Sequence, residues 1–512
     1  MDDLLLGIDV GTTAAKVALV GQDGHVEAVQ QVAYRTQYLK PGWVEQQPEH
    51  WWDAVCAAVK AALDRTPGAS DRVAGLAVSS QAPALIALDE RGQVLRPALI
   101  WMDRRAEAEA QQLSDSLGFE RIFQITGNRP DPYFVAAKAL WFKNHEPHLL
   151  AQTHQFAQVN GYINYRLTGL HAVDPTHAAL MQLWHRAGGE WSAEICGACG
   201  IDPAQLPACC PAHQVLGEVT AGAAQATGLR PGTRVMVGMI DAVAAALEAG
   251  VVAFGTAAEM TGTSTVLMIP NKPGLIHPSL IAIPHVVPSS HLLVGAIVAS
   301  GASLNWYCEQ FGLIERQASA LLDADPFDLL TQQAAKIPPG SDGIIFLPYM
   351  MGERSPLWHT NARGVLFGLS LATSRGAIIR AILEGTVFAL LHNIQTAQEA
   401  GVTIDRLRSV GGGTRSALWN QIKADILGIP IELPEAPIGA PFGDAMLAGM
   451  GLGLYPDITS VLQQIVRVKT VYQPNPEHHA VYQAVFPLFR RLYAHLREDF
   501  DVAASIYAAV TA

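Results

Sequence analysis

Charge is scarce in this sequence. Only 16% of the residues are Asp, Glu, Lys or Arg, while 50% are hydrophobic, against about 25% charged in ordinary soluble domains. A large buried interior is therefore expected. No run rich in lysine and arginine occurs, and the formal charge is −12, from 34 basic and 46 acidic residues. That balance argues against a nucleic-acid or anionic-membrane partner and favours small-molecule chemistry. A basic leader is also missing: Met1-Asp2-Asp3 runs directly into an apolar strand, so a cytoplasmic protein is expected. The longest apolar stretch, 235–260, is broken by Asp241, Glu248 and several glycines and does not read as a membrane span. Cysteine is limited to six residues. Cys196 and Cys199 have CxxC spacing, with Cys209, Cys210 and His213 close behind, so a zinc site stands as an alternative. The prolines at 203, 207 and 211 make the segment a helix end entering a loop rather than a zinc ribbon, and free thiols are expected. Two familiar phosphate motifs are absent: neither the GxxxxGK[ST] loop nor a GxGxxG turn at a helix start is found.

What is present begins at residues 4–20, LLLGIDVGTTAAKVALV. An apolar run ends in one carboxylate, Asp9, followed by Gly11, Thr12 and Thr13 and a second apolar alternation. A further strand is expected at 26–32. Strand, glycine-threonine turn, strand is the pattern. Such a turn offers backbone N–H groups and two hydroxyls to phosphate oxygens, and Asp9 can hold a hard cation directly or through water. An ordinary hairpin ending in Asp is the plainer alternative. With 512 residues, two large domains are expected.

Farther along, 51–63 has helical spacing and 73–78 reads as a strand finishing at Ser79-Ser80-Gln81. Ligands gather at such strand ends in open α/β sheets. Segments 85–88 and 94–101 flank a hairpin turn. Trp101-Met102-Asp103-Arg104-Arg105 then places an aromatic plate, a carboxylate and two guanidiniums together. It is either a solvated helix start capped by Asp103, or a site where Trp101 forms an apolar wall and Asp103 or Arg104 grips hydroxyls. Asp241 stands between the strand 234–239 and the helix 242–249. It serves as an N-cap and, in an apolar setting, as an acceptor for the proton of a substrate hydroxyl.

The turn Thr261-Gly262-Thr263-Ser264 repeats the opening device between two apolar strands. Two facing hairpins can hold one polyphosphate between two domains. A long helix is expected at 374–399. Gly411-Gly412-Gly413 follows a strand and precedes the helix 416–427, and a glycine loop at 439–443 precedes a helix from Asp444. Both loops suit a nucleoside pocket.

These residues together resemble the FGGY carbohydrate kinases of the actin-like, ribonuclease H-like ATPase superfamily. The matching stretches are GIDVGTTAAK at 7–16, WMDRRA at 101–106, GMIDAVAAALEAG at 238–250, TGTS at 261–264, GERSP at 352–356, GVLFGL at 364–369, AILEG at 381–385 and GGGTRSALWNQIKADILGIPI at 411–431. They span most of the chain in the family's order. The segment 133–145 matches only partly around Lys138 and Trp141, since Val135 and Ala139 replace the expected types. The resemblance implies an α/β fold of two actin-like domains, 1–247 and 248–512, with an interdomain cleft that takes ATP and Mg²⁺. It implies Asp9 for the metal, and Thr12, Thr13, Lys16, Gly262 and Thr263 for the phosphates. Gly412 and Gly413 lie against adenosine, and Asp241 is the base. Gln81, Trp101, Asp103, Arg104 and Tyr133 join Asp241 around the sugar.

Within the family the pattern is most similar to the pentulose kinases, so D-xylulose is the expected acceptor. Ala82-Pro83 stands where many xylulose-phosphorylating members carry a Met-His pair. Asp131-Pro132-Tyr133-Phe134 is similar to the glycerol-phosphorylating members, so glycerol or another polyol is the alternative. The Arg-Glu pair that glycerol enzymes place after the glutamine is absent. An actin-like ATPase that phosphorylates no sugar is an alternative of another class. The resemblance leaves a homodimer open, and no face in the sequence declares itself.

Overall fold

The structure is a computed structural model that describes residues 3–435 and 438–511. Its first sheet is built around β1 (Leu4–Val10), β2 (Ala14–Gly21) and β3 (Val26–Ala33), a consecutive antiparallel set. After the helix α1 (Pro48–Arg65), β4 (Val73–Ser80) returns parallel to β1. The sheet is completed by β5 (Val215–Glu218) and β6 (Arg234–Met236), in the order β5-β6-β4-β1-β2-β3. A short strand, β7 (Met239–Ile240), also pairs with β4 and leads into the helix α2 (Asp241–Glu248).

The second sheet repeats this plan. Strands β8 (Gly255–Thr261) and β9 (Thr265–Asn271) form its hairpin. Beyond them come β10 (Ile281–Pro284), β11 (His291–Ile297), β12 (Ile404–Val410), β13 (Ile431–Pro434) and β14 (Val468–Tyr472). The order is β10-β11-β9-β8-β12-β13-β14. As in the first sheet, the hairpin strand β8 has a parallel neighbour, β12, across a long connection, and the far-edge strand β14 runs antiparallel.

Alternation decides which face each strand buries. Leu4, Leu6 and Ile8 pack with Trp51 and Val55 of α1 on one side of the first sheet. Leu5, Gly7 and Asp9 point to the other side. There lies the helix α5 (Ala440–Gly451), contributed by the C-terminal half of the chain, together with α2. The approach is close: a Cβ on Gly7 would lie 1.8 Å from the Pro441 carbonyl oxygen, so only glycine admits the helix here. The same apolar cluster reaches Ala258, Met268 and Val410 of the second sheet, so α2 and α5 form a layer between the two sheets.

The long helix α3 (Arg375–Glu399) starts at the Ser374 cap, and α4 (Ala417–Leu427) at the Ser416 cap. Among the described residues α3 is the one helix long and apolar enough to cross a membrane, and it is buried in the core of the second domain. Cys196 and Cys199 are buried free thiols, and Cys199 Sγ donates to the Ala136 carbonyl at 3.3 Å.

Three expectations are adjusted. The expected strand at 234–239 is two strands, because Gly238 turns the chain at φ 92° and brings it against the Val78 carbonyl. Asp241 is the first residue of α2 rather than its cap, which is Ile240; pairing of β7 with β4 and a bond from the Ile240 N–H to Thr176 Oγ1 start the helix there. The loop 439–443 runs into α5 against the first sheet, apart from the cavity lined by Gly412 and Gly413.

Candidate active site

Register brings the key strand ends into one row. Asp9 of β1 pairs with Ser79 of β4, and Ser79 pairs with Met239 of β7, two residues before Asp241. Neighbouring strands lie about 4.8 Å apart, so the two carboxylates flank Ser79 at the same end of the sheet. Asp9 Oδ1 is buried without a hydrogen-bond partner. Burial, reinforced by Asp241 and Glu248 and opposed by Lys16, holds the Asp9 carboxyl well above the usual range. A buried, unpaired acid oxygen beside a second acid fits a divalent cation, whose charge would remove that penalty. Asp241 takes the Ala242 N–H at 2.7 Å. Burial pushes its pKa up to about 6, with the Ala242 bond and His177 pulling down. It is a base through the neutral range.

His177 belongs to a buried relay. Its Nδ1 meets Asp174 Oδ2 at 2.5 Å and its Nε2 meets Ser80 Oγ at 3.0 Å. Asp174 also accepts from the Thr176 hydroxyl, and Thr176 Oγ1 accepts the Ile240 N–H at 3.0 Å. The start of α2 is thereby fixed.

The expected sugar-side residues divide into open and closed groups. Gln81 donates to Gln46 Oε1 at 2.7 Å, and its own Oε1 is buried and unpartnered. Trp101 donates from Nε1 to Thr12 Oγ1 at 3.0 Å, joining the aromatic wall to the first hairpin. Tyr133 donates to the Ala82 carbonyl at 2.9 Å. Buried Lys138 supports its loop by donating to the carbonyls of Pro132 and Tyr133 at 2.8 and 2.6 Å. Arg104 forks onto Asp131 at 2.6 and 3.3 Å.

Asp103 departs from both expectations. The following helix is capped by Ala106, and the fully buried Asp103 carboxylate is filled by the Val44 N–H at 2.7 Å and by the Arg105 N–H and guanidinium. It braces the WMDRRA turn and has no oxygen left for sugar. Lys16 pairs with Asp9 in register, and its Nζ donates one of its three N–H groups to the Ile438 carbonyl ahead of α5. Thr13 lies at the tip of the hairpin and is exposed.

The second hairpin borders a cavity of about 370 Å³. Gly262, Thr263, Gly412 and Gly413 line it together, with Phe327 and Trp419 adding flat apolar surface suited to a nucleobase. Beneath the hairpin, Glu259 is bonded by Lys423, Ser409 and Thr261.

Sequence reasoning missed two further residues. The Arg354 guanidinium lies 4.8 Å from the Trp101 ring centre and 5.9 Å from that of Tyr133, and its Nε is buried and unpartnered. The quoted GERSP stretch was the available signal. Asp444 in α5 accepts from Ser79 Oγ at 2.7 Å, and its Oδ1 has no partner. No local pattern marks it, since it enters the site by the packing of α5.

Comparison with known proteins gives the family. Residues 4–248 match the N-terminal domain of the FGGY family of carbohydrate kinases, and residues 257–452 match its C-terminal domain. A xylulose kinase from Bacillus subtilis (strain 168) is 31% identical over 96% of this chain and 97% of its own length. A gluconokinase from the same organism is 27% identical over 98% and 97%. The crystal structure of xylulose kinase from Rhodospirillum rubrum superposes with a TM-score of 0.89 at 32% identity, covering 97% of this chain and all of that one. The chain therefore belongs to the FGGY family of carbohydrate kinases, phosphotransferases that use ATP and an alcohol acceptor.

Proposed function

We propose that the chain transfers the γ-phosphoryl group of ATP to a hydroxyl of a pentulose, D-xylulose first, giving D-xylulose 5-phosphate. The supporting observation is Asp241 at the end of the register row, a half-buried carboxylate whose pKa is raised to about 6, in a chain similar over nearly its full length to xylulose kinases. Asp241 takes the proton of the attacking hydroxyl. The free carbonyl oxygen of Gln81 accepts a neighbouring hydroxyl, and Trp101 with Tyr133 walls the sugar. Thr12 and Thr13 face the phosphates from one hairpin, Gly262 and Thr263 from the other, and adenosine rests on Gly412 and Gly413. Phosphoryl transfer needs alignment and charge neutralisation more than covalent help, so this set suffices. Mg²⁺, held by Asp9, would neutralise phosphate charge. The division into sugar-binding residues 1–247 and nucleotide-binding residues 248–512 belongs to the same reading, as does closure of the cleft to exclude water.

An aldonate acceptor such as gluconate is the second reading. Its support is a pair of arginines, one of them, Arg354, against Trp101. Arg354 and Arg129 form no ion pair among the described residues, each has a buried unpartnered Nε, and Arg129 lies 5.2 Å from the Trp358 ring centre. Burial also pushes Glu353 up to about 8, leaving it neutral beside Arg354. An acceptor panel of D-xylulose, gluconate, glycerol and a tetritol, compared by kcat/KM, tests both readings. D-xylulose is expected to lead; gluconate ahead by an order of magnitude would replace it, and glycerol or the tetritol ahead by that margin would overturn both.

A further inference from the structure

Asp444 is the least explained group in the cleft. It is fully buried, yet one carboxylate oxygen accepts only from Ser79 and the other has no partner. No salt bridge neutralises it among the described residues. An uncompensated buried acid is costly, and a fold would discard it unless something in the working state repaid the penalty.

The register says where that partner must sit. Ser79, which holds Asp444, is flanked by Asp9 on one side and by Met239, leading to Asp241, on the other. Gly7 and Asp9 face α5, as Ser79 does. The free Oδ1 of Asp444 therefore enters the acid row from above its middle member. The charges of Asp9 and Asp241 both raise the Asp444 carboxyl, after the larger effect of its burial. Two buried oxygens, Asp9 Oδ1 and Asp444 Oδ1, are without partners there.

We propose that Asp444 is a second metal-positioning carboxylate, which with Asp9 holds the hydration shell of the nucleotide-bound divalent cation. Among the described residues no three acids, histidines or cysteines converge into a direct protein-only metal site. That suits Mg²⁺, which keeps several waters and is held through one or two carboxylates plus phosphate oxygens. Because α5 comes from the C-terminal half, the cation would join both halves of the chain. The inference rests on the kinase reading of the cleft but not on which sugar is used.

The test is Mn²⁺ binding in the presence of ADP, followed by electron paramagnetic resonance, without any sugar. Asp444→Asn preserves shape and the Ser79 bond, and is expected to weaken Mn²⁺ binding at least tenfold while metal-free ADP affinity stays within about twofold, the range known for outer-shell partners being about 10–100-fold. Ser79→Ala, which removes the hydroxyl bonded to Asp444, is expected to weaken Mn²⁺ binding less. Unchanged Mn²⁺ affinity in a folded Asp444→Asn protein, with an unshifted melting temperature as the check, would overturn the proposal. If Asp444→Asn fails to fold, Asp444→Glu provides the second arm: altered Mn²⁺ affinity with unchanged ADP affinity supports the proposal, and two unchanged affinities overturn it. Loss of Mn²⁺–ADP binding by the unmodified protein would instead overturn the kinase reading.

Discussion

The two hairpins share one construction and treat their acids in opposite ways. Asp9 of β1 and Glu259 of β8 each stand near the end of the central strand, beside a serine of the parallel neighbour, Ser79 or Ser409. Glu259 is consumed by Lys423, Ser409 and Thr261. Asp9 keeps a buried oxygen free, and Ser79 turns to Asp444. The lesson is that one fold unit becomes scaffold when its acid is neutralised internally and becomes reactive when it is left unpaired. The second half uses backbone and flat apolar surface for the nucleoside, whereas the first concentrates charge.

Five outcomes break or sharpen that contrast. Asp241→Ala is expected to cut kcat by about 10²–10⁴, the scale of general-base loss, with nucleotide affinity preserved in an equilibrium titration. Glu259→Gln should act on stability: leaving buried Lys423 unpaired costs about 3–5 kcal/mol, read by urea denaturation. Asp9→Asn should do the reverse, shifting the Mg²⁺ titration of turnover by tenfold or more with little loss of stability. If both variants lost only stability, the contrast between the hairpins would fail.

The pH profile comes next. Asp241 must be ionised to accept a proton, and its pKa is raised to about 6 by burial. Activity is therefore expected to be flat above pH 7 and to fall below about pH 6, approaching tenfold per unit in kcat/KM. The smallest effect is Gly413→Ala. Its Cβ would lie 2.7 Å from Thr261 Cγ2, which should raise the KM for ATP several-fold and leave kcat nearly unchanged.

Much of this was legible in the sequence because it is local. Strand alternation located β1, β2, β8 and β9, the glycine-threonine turns marked both hairpins, and Ser374 and Ser416 marked helix starts. Asp241 stood out because an apolar strand and an apolar helix left a single carboxylate at their junction. The remainder depends on packing between distant segments. Asp103 looked available until Val44 and Arg105 closed over it. Lys16 stood out as a phosphate ligand, but its bond to the Ile438 carbonyl at the entry to α5 could be seen only in the packing. Asp444 became visible only when α5 crossed onto the sheet of the opposite half, and Arg354 only when its loop reached Trp101.

The most direct test of the central claim is a crystal structure with a non-hydrolysable ATP analogue, Mg²⁺ and the preferred acceptor from the panel. The account predicts adenosine over Gly412 and Gly413 and one acceptor hydroxyl within about 2.6–3.2 Å of the Asp241 carboxylate, in line with the terminal phosphate. A closed complex in which no hydroxyl comes within reach of Asp241 would contradict it.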